Sequence, residues 1–225
     1  TKTFTWFSAP LRFREVLAIR GASYLLSVIN YNLGQGAMVL FVKRAKGVSL
    51  GLGTGTVLLI MGINLVVLLL MATSAMGLYE VPRAASLWPW LGGLLGGFVL
   101  YLVAVVIKPG FLTRYEIFQP SFRAGLWGHV KAVAVRLPHL ALIFTAHYLA
   151  MRAFEIKPPI WVYLAYMPVV SLLAALPISP QGLGTQQVAA VFFFSPYAPG
   201  DAAGQEAAVL AYSLTVSALA ILFML

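Results

Sequence analysis

Residues 54–78 read TGTVLLIMGINLVVLLLMATSAMGL, an uncharged run whose single amide side chain is Asn64. A helix needs about 20 mostly apolar residues to cross the hydrocarbon core of a bilayer, so this stretch is predicted to be a membrane-spanning α-helix. Residues 87–107, 137–154 and 206–225 read the same way, and residues 160–176 form a fifth, shorter run that spans if a few flanking residues join it. Composition agrees: 61% of residues are apolar and 9% charged, and the mean hydropathy is +0.91. An ordinary water-soluble domain carries about 25% charged residues, and so few polar groups cannot cover a water-facing surface. Blocks of alternating apolar and polar residues, the mark of a transmembrane barrel, are missing, and helices are the other way to satisfy a backbone in hydrocarbon. The expected fold class is all-α, a polytopic bundle of transmembrane helices forming a single domain.

The net charge is +9, yet its placement argues against nucleic acid as a partner. The cations sit between apolar runs, as Lys43, Arg44 and Lys46, then Lys108, Arg114, Arg123, Lys131 and Arg136. Cytoplasmic loops carry this bias under the positive-inside rule, and such cations also attract anionic lipid headgroups. With residues 43–46 cytoplasmic, the helix at 54–78 runs outward, 87–107 returns, 137–154 goes out and 160–176 comes back. Residues 108–136 then form a cytoplasmic basic loop, whose second half interleaves Phe122, Leu126, Trp127, Val130 and Val133 with Arg123 and Lys131 as an interfacial amphipathic helix would. The loop at 195–204 lies outside if residues 177–194 cross and inside if they form a hairpin. With no cysteine, disulfides, thiol nucleophiles and thiolate metal sites are excluded. Starting at Thr1 and stopping at Leu225 within an apolar run, the sequence reads as part of a longer protein.

Two apolar segments are interrupted. Residues 16–42 carry Asn30, Asn32, Gly34, Gln35 and Gly36 at their middle, and residues 177–194 open with Pro177, Ser179, Pro180, Gln181, Gly182, Gly184, Thr185, Gln186 and Gln187. Two prolines and two glycines so close together defeat a regular helix. Irregular backbone at membrane depth is tolerated only where protein or a water-filled cavity covers it, so both segments are expected to be broken or re-entrant helices. They share a Leu-Gly core, Leu33-Gly34 and Leu183-Gly184. This suggests an internal repeat, with halves at about 16–107 and 137–225 joined by the basic loop. The plainer alternative is chance, since glycine is common wherever membrane helices pack closely. Paired interruptions point to a transporter-type binding site, because a broken helix frees amides and carbonyls and presents partial charges at its half-helix ends.

The run from Leu176 through Gly184, LPISPQGLG, resembles the signature of the lysylphosphatidylglycerol synthase transmembrane-region family, a group of flippase-like membrane domains. The earlier stretch from Asn30, ending in Lys43-Arg44-Ala45-Lys46-Gly47-Val48-Ser49-Leu50, looks like that family's other marker, a turn followed by a basic loop. Order and spacing agree over nearly the whole chain. The departures are Gln186-Gln187 where the family commonly has Arg-Glu, and Gly34-Gln35 where it has Gly-Glu. Both carboxylates are amides here, which still hydrogen-bond but cannot titrate. The resemblance implies a protein of the bacterial cytoplasmic (inner) membrane that moves a lipid or lipid-linked headgroup between leaflets, with an anionic phospholipid or lipid-linked glycan as its partner. In relatives the domain is sometimes fused to a soluble aminoacyl transferase.

Enzyme chemistry finds little support. His129, His139 and His147 lack metal-ligand spacing, and no Ser-His-Asp set, phosphate loop or carboxylate pair is present, so no catalytic role, metal or cofactor is expected. His147 lies deep in its span, as either a functional intramembrane group or a hydrogen-bonded packing residue. Asn64 reads as glue between helices or as a ligand group, and Arg136 and Arg152 as helix-end cations snorkelling to headgroups. The expected lipid site is a cavity between the broken segments, drawing on Asn30, Asn32, Gln35, Asn64, His147, Ser179, Gln181, Gly182, Gly184, Thr185, Gln186 and Gln187, with Lys43, Arg44, Lys46, Arg123, Lys131 and Arg136 attracting the headgroup. Lipid translocation is the leading functional expectation. The alternatives are a non-transporting membrane module that binds lipid for, or anchors, a soluble or membrane-bound partner enzyme, and a small-solute or ion transporter.

Overall fold

A computed structural model describes residues 6, 11–29, 31–175 and 183–223. Among the described residues every regular element is a helix. Four of them are long and apolar enough to cross a membrane, Leu50–Leu78, Ala84–Ile107, Glu116–Ala153 and Ala202–Leu222, so the chain is an all-α polytopic membrane protein. Its contacts divide it into two compact units, residues up to 66 with 93–136, and residues 67–92 with 137–223.

The first unit opens with a helical hairpin, α1 (Phe13–Ile29) and α2 (Tyr31–Lys46). At 1.5 Å per residue each arm is about 25 Å long, short of a hydrocarbon core of about 30 Å. The arms run antiparallel, since Gly34 lies against Ser27 and Lys46 against Glu15, and small residues let them touch. Ser23 and Ser27 are buried, each bonded to the carbonyl four residues earlier, and a side chain at Gly34 would collide with the Ser27 hydroxyl. At the open end Lys46 Nζ donates to Glu15 Oε1 at 2.8 Å. This bond, helped by the Arg12 backbone amide, holds the Glu15 carboxyl below its ordinary value. Both feet of the hairpin therefore lie at the end that carries Lys43 and Arg44.

Helix α3 (Leu50–Leu78) begins with glycines on alternate residues, and each admits a close neighbour. A Cβ on Gly53 would come within 2.9 Å of Val39 on α2, and one on Gly55 would strike the Ile117 carbonyl. Beyond the turn at 79–83, α4 (Ala84–Ile107) follows. The stretch expected as a basic loop is largely helical. After a single turn at Gly110–Thr113 and a 3-10 turn at Glu116–Phe118, α5 (Gln119–Ala153) takes in both the expected amphipathic half-loop and the expected span at 137–154. Its one interruption is Gly125, at φ 55° and ψ −175°, a region essentially reserved for glycine.

The second unit contains α6 (Ile160–Ala175), α7 (Thr185–Phe194) and α8 (Ala202–Leu222). Its core is aromatic: Tyr163, Tyr166, Phe193, Phe194 and Tyr212 are buried, and the Tyr163 hydroxyl donates to the Phe144 carbonyl at 2.6 Å. Helix α7 is about 15 Å long, half the hydrocarbon thickness. The Lys157 amide donates to the Tyr197 carbonyl at 2.9 Å, so α7 ends on the side where α6 starts. The Tyr166 hydroxyl donates to the Pro82 carbonyl, and Arg83 Nη1 donates to the Phe192 carbonyl at 2.6 Å. The turns at 79–83, 155–159 and 195–200 thus belong to one end of this unit.

Substituting Gly55 by Leu should lower the thermal stability of the purified protein by about 1–3 kcal/mol, the usual cost of overpacking. The substitution Gly62→Ala, where the Cβ meets open space, should cost far less; equal effects would refute the close approach at Gly55.

Candidate functional site

The interior of the first unit holds a cavity of about 390 Å³. Its walls are apolar, and glycines hollow it out: Gly55 and Gly62 of α3, Gly93 and Gly97 of α4. Glycines at i and i+4 share one helix face, and a Cβ at Gly62, Gly93 or Gly97 would meet nothing within 4 Å. The space is therefore lined by missing side chains.

Polar groups collect on one side of this cavity, where Tyr101, Ser121 and His129 line it. Their arrangement follows from the break at Gly125. A backbone interrupted in hydrocarbon leaves a carbonyl to be satisfied, and His129 Nδ1 lies 2.6 Å from the Gly125 oxygen. A carbonyl only accepts, so Nδ1 carries the proton. In the neutral ring Nε2 then accepts, and it does so from the Tyr101 hydroxyl at 2.6 Å. His129 was set aside in the sequence because its spacing is not that of a metal ligand. What it does instead is close a bond broken four residues earlier, and the His at i+4 from a glycine was the available signal.

Asn64 and Arg136 meet. Asn64 is the central residue of α3, and its Oδ1 accepts from Arg136 Nε at 3.2 Å and Nη2 at 3.1 Å. Arg136 was expected at a helix end with its guanidinium in the headgroups. The structure places it otherwise: α5 resumes after its break at Gly125, so Arg136 falls inside the helix that follows and not at its start, and its guanidinium meets the central residue of α3. A permanently charged guanidinium thereby reaches the midpoint of a membrane-spanning helix, where ionisable groups are costly and rarely idle.

The remaining expected site residues fall into separate places. Gln35 belongs to the first unit and lines an apolar groove of about 670 Å³ with Thr54. Lys43, Arg44, Arg123 and Lys131 are exposed, Lys131 lying 5.6 Å from the Trp127 ring centre. In the second unit Gly184, with φ 90°, caps α7. Its amide donates to Gln187 Oε1 at 2.7 Å, and Gln187 Nε2 donates to Ser217 of α8 at 3.1 Å. Gln187 is 4% exposed, so both ends of its amide are spent on structure. Thr185 and Gln186 are half-buried beside it. His147 Nδ1 lies 3.0 Å from the Tyr212 hydroxyl. Asn30, Ser179, Gln181 and Gly182 lie outside the described residues, as does the side chain of Asn32. Among the described residues no three His, Cys, Asp or Glu side chains gather as metal ligands do. Two groups not singled out in the sequence, Arg83 and Glu206, line a cavity of the second unit with Gln187.

Removing the amide partner should expose the Arg136–Asn64 coupling. Asn64→Ala should destabilise the protein by about 1–3 kcal/mol, because it removes an acceptor from a charged donor. Combined with Arg136→Met in a double-mutant cycle, the interaction energy should exceed about 0.5 kcal/mol; additive effects would mean that the two side chains do not interact.

No curated protein and no solved structure matches the chain. A family model does, over residues 9–225, and its description is the lysylphosphatidylglycerol synthase TM region. That match covers all of the helices described above, and by it the chain is a member of the lysylphosphatidylglycerol synthase transmembrane-region family.

Proposed function

We propose that this protein moves a lipid, or a lipid-linked headgroup, between the leaflets of a bacterial cytoplasmic membrane. The observation that carries the reading is the cation at depth. Arg136, held by Asn64 at the midpoint of α3, lies one helical turn beyond Val133, which lines the glycine-walled cavity. Apolar walls suit acyl chains, while the Arg136 guanidinium offers a headgroup a charged partner within hydrocarbon. An anionic phospholipid or a lipid-linked glycan phosphate is the substrate class that this chemistry favours.

The helical hairpins support the same reading. The α1–α2 hairpin has both feet at the basic, cytoplasmic end, and its arms are too short to cross, so it enters the membrane and returns. The pair α6 and α7 has both feet at the end holding Pro82 and Arg83, and enters from the outer surface. Interrupted helices covered by protein are the usual way to place backbone dipoles at a transport site. No chemistry on the substrate is required of these residues.

A second reading draws on the family description, which names the membrane region of a synthase. On that reading the cavity holds lipid for a catalytic partner and does not release it to the other leaflet.

Reconstituted into liposomes, the protein should expose fluorescent phosphatidylglycerol on the inner leaflet to an external quencher faster than protein-free liposomes do. Gly97→Leu and Gly62→Leu should fill the cavity and slow this several-fold while leaving thermal stability nearly unchanged, since neither Cβ meets a neighbour. No excess over empty liposomes with anionic, zwitterionic and glycan-linked lipids would overturn translocation. Retained, saturable lipid binding in that case would favour the second reading.

A further inference from the structure

The second unit contains a cavity of about 480 Å³ that the translocation reading does not use. It opens between α7, the 3-10 turn Ser195–Tyr197, the start of α8 and the turn at 79–83, at one end of this unit. Besides Gln187, whose amide is already spent, three of its lining groups are polar and unlike one another: the Arg83 guanidinium, the Glu206 carboxylate and the Ser195 hydroxyl.

Arg83 is placed there at a cost. Its φ of 59° puts a side-chain-bearing residue in the left-handed region, which persists only where surroundings hold it. The Tyr166 hydroxyl fixes the preceding Pro82 carbonyl, the Phe192 carbonyl takes one N–H of Arg83, and the Phe192 ring lies 4.4 Å beneath its guanidinium. The other N–H groups remain available. The guanidinium also stands near Tyr197, where burial pushes the phenol up and the Arg83 charge partly opposes that.

Glu206 makes no ion pair or hydrogen bond with the described residues, and no ion pair joins it to Arg83 although both face one cavity. The Ser195 hydroxyl oxygen is buried and without a hydrogen-bond partner among the described residues. Buried polar atoms are nearly always satisfied, so this one is a donor waiting for an acceptor. A cation, a carboxylate and an unspent hydroxyl around one space form two opposite half-sites.

The geometry points to a binding site for a zwitterion that carries a phosphate and, a few ångströms away, an ammonium group. Arg83 and Ser195 take the phosphate oxygens, Glu206 takes the ammonium, and Val188, Val191 and Leu210 line the rest. The chemistry fits a zwitterionic phospholipid headgroup or the free phosphodiester alike. It holds whether or not the protein moves lipid between leaflets.

The test is equilibrium binding of fluorescent phosphatidylethanolamine and phosphatidylglycerol to the whole purified chain. Phosphatidylethanolamine should bind more tightly, and Glu206→Gln should weaken it about tenfold while changing phosphatidylglycerol by less than about twofold, as loss of one charged partner predicts. Glu206→Lys should reverse the preference. Arg83→Gln should weaken both lipids; because it also removes the bond to Phe192, Arg83→Lys serves as the control and should restore much of the binding. Competition by soluble glycerophosphoethanolamine but not glycerophosphoglycerol would extend the site to the free zwitterion. Failure of both solutes to compete, with the lipid preference intact, would assign the occupant to the bilayer. Equal binding of the two lipids, or indifference to Glu206→Gln, would overturn the proposal.

Discussion

A helix interrupted inside hydrocarbon must find a partner for every backbone group that it frees, because no water is there to take it. That requirement organises this protein more than any packing preference does. At Gly125 the freed carbonyl is met by His129, which in turn recruits Tyr101 and so brings a polar cluster to the wall of an apolar cavity. At Gly184 the freed amide is met by Gln187, which fastens α7 to α8 through Ser217. Each repair needs a side chain three or four residues beyond the break, and each draws in a further partner, Tyr101 at the first and Ser217 at the second.

Much of this was legible in the sequence, and the reasons differ from element to element. The spans at residues 54–78 and 206–225 declare themselves because a run of twenty apolar residues has few other uses. The interruption expected at Gly34–Gly36 is not there, since α2 runs unbroken from Tyr31 to Lys46, and Pro177–Gly182 lie outside the described residues. What stayed hidden depends on contact. Residues 119–136 look like a loop because cations are spread through them, yet the stretch folds as the first half of α5 and carries those cations along a helix. That single difference moves Arg136 from the start of a helix into its body. The Asn64–Arg136 and Tyr101–His129 pairs join residues 72 and 28 positions apart, a separation that no periodicity reports. Arg83 and Glu206 went unnoticed for the same reason, each looking like an ordinary charge at the mouth of a helix.

The glycines divide into two populations with opposite roles. Those at positions 34, 53 and 55 are filled at once by a neighbouring serine, valine or carbonyl, and they set how closely the first hairpin and the following loop approach. Those at 62, 93 and 97 face empty space. The first group could not be larger without forcing helices apart, whereas the second could be larger at little structural cost. A chain that keeps such positions small is maintaining room and not contact, which separates a cavity with a use from a packing flaw.

Gln187 carries a consequence of its own. The family resemblance places an acid at this position in relatives, and an acid would hold the start of α7 or let it go according to its protonation. The amide has no such second state. It grips the Gly184 backbone with its oxygen and Ser217 with its nitrogen at any pH, so the joint behaves as a rivet rather than a hinge. A proton that would unfasten an acid finds no handle at this position, so the joint between α7 and α8 is indifferent to the acidity on either side of the membrane.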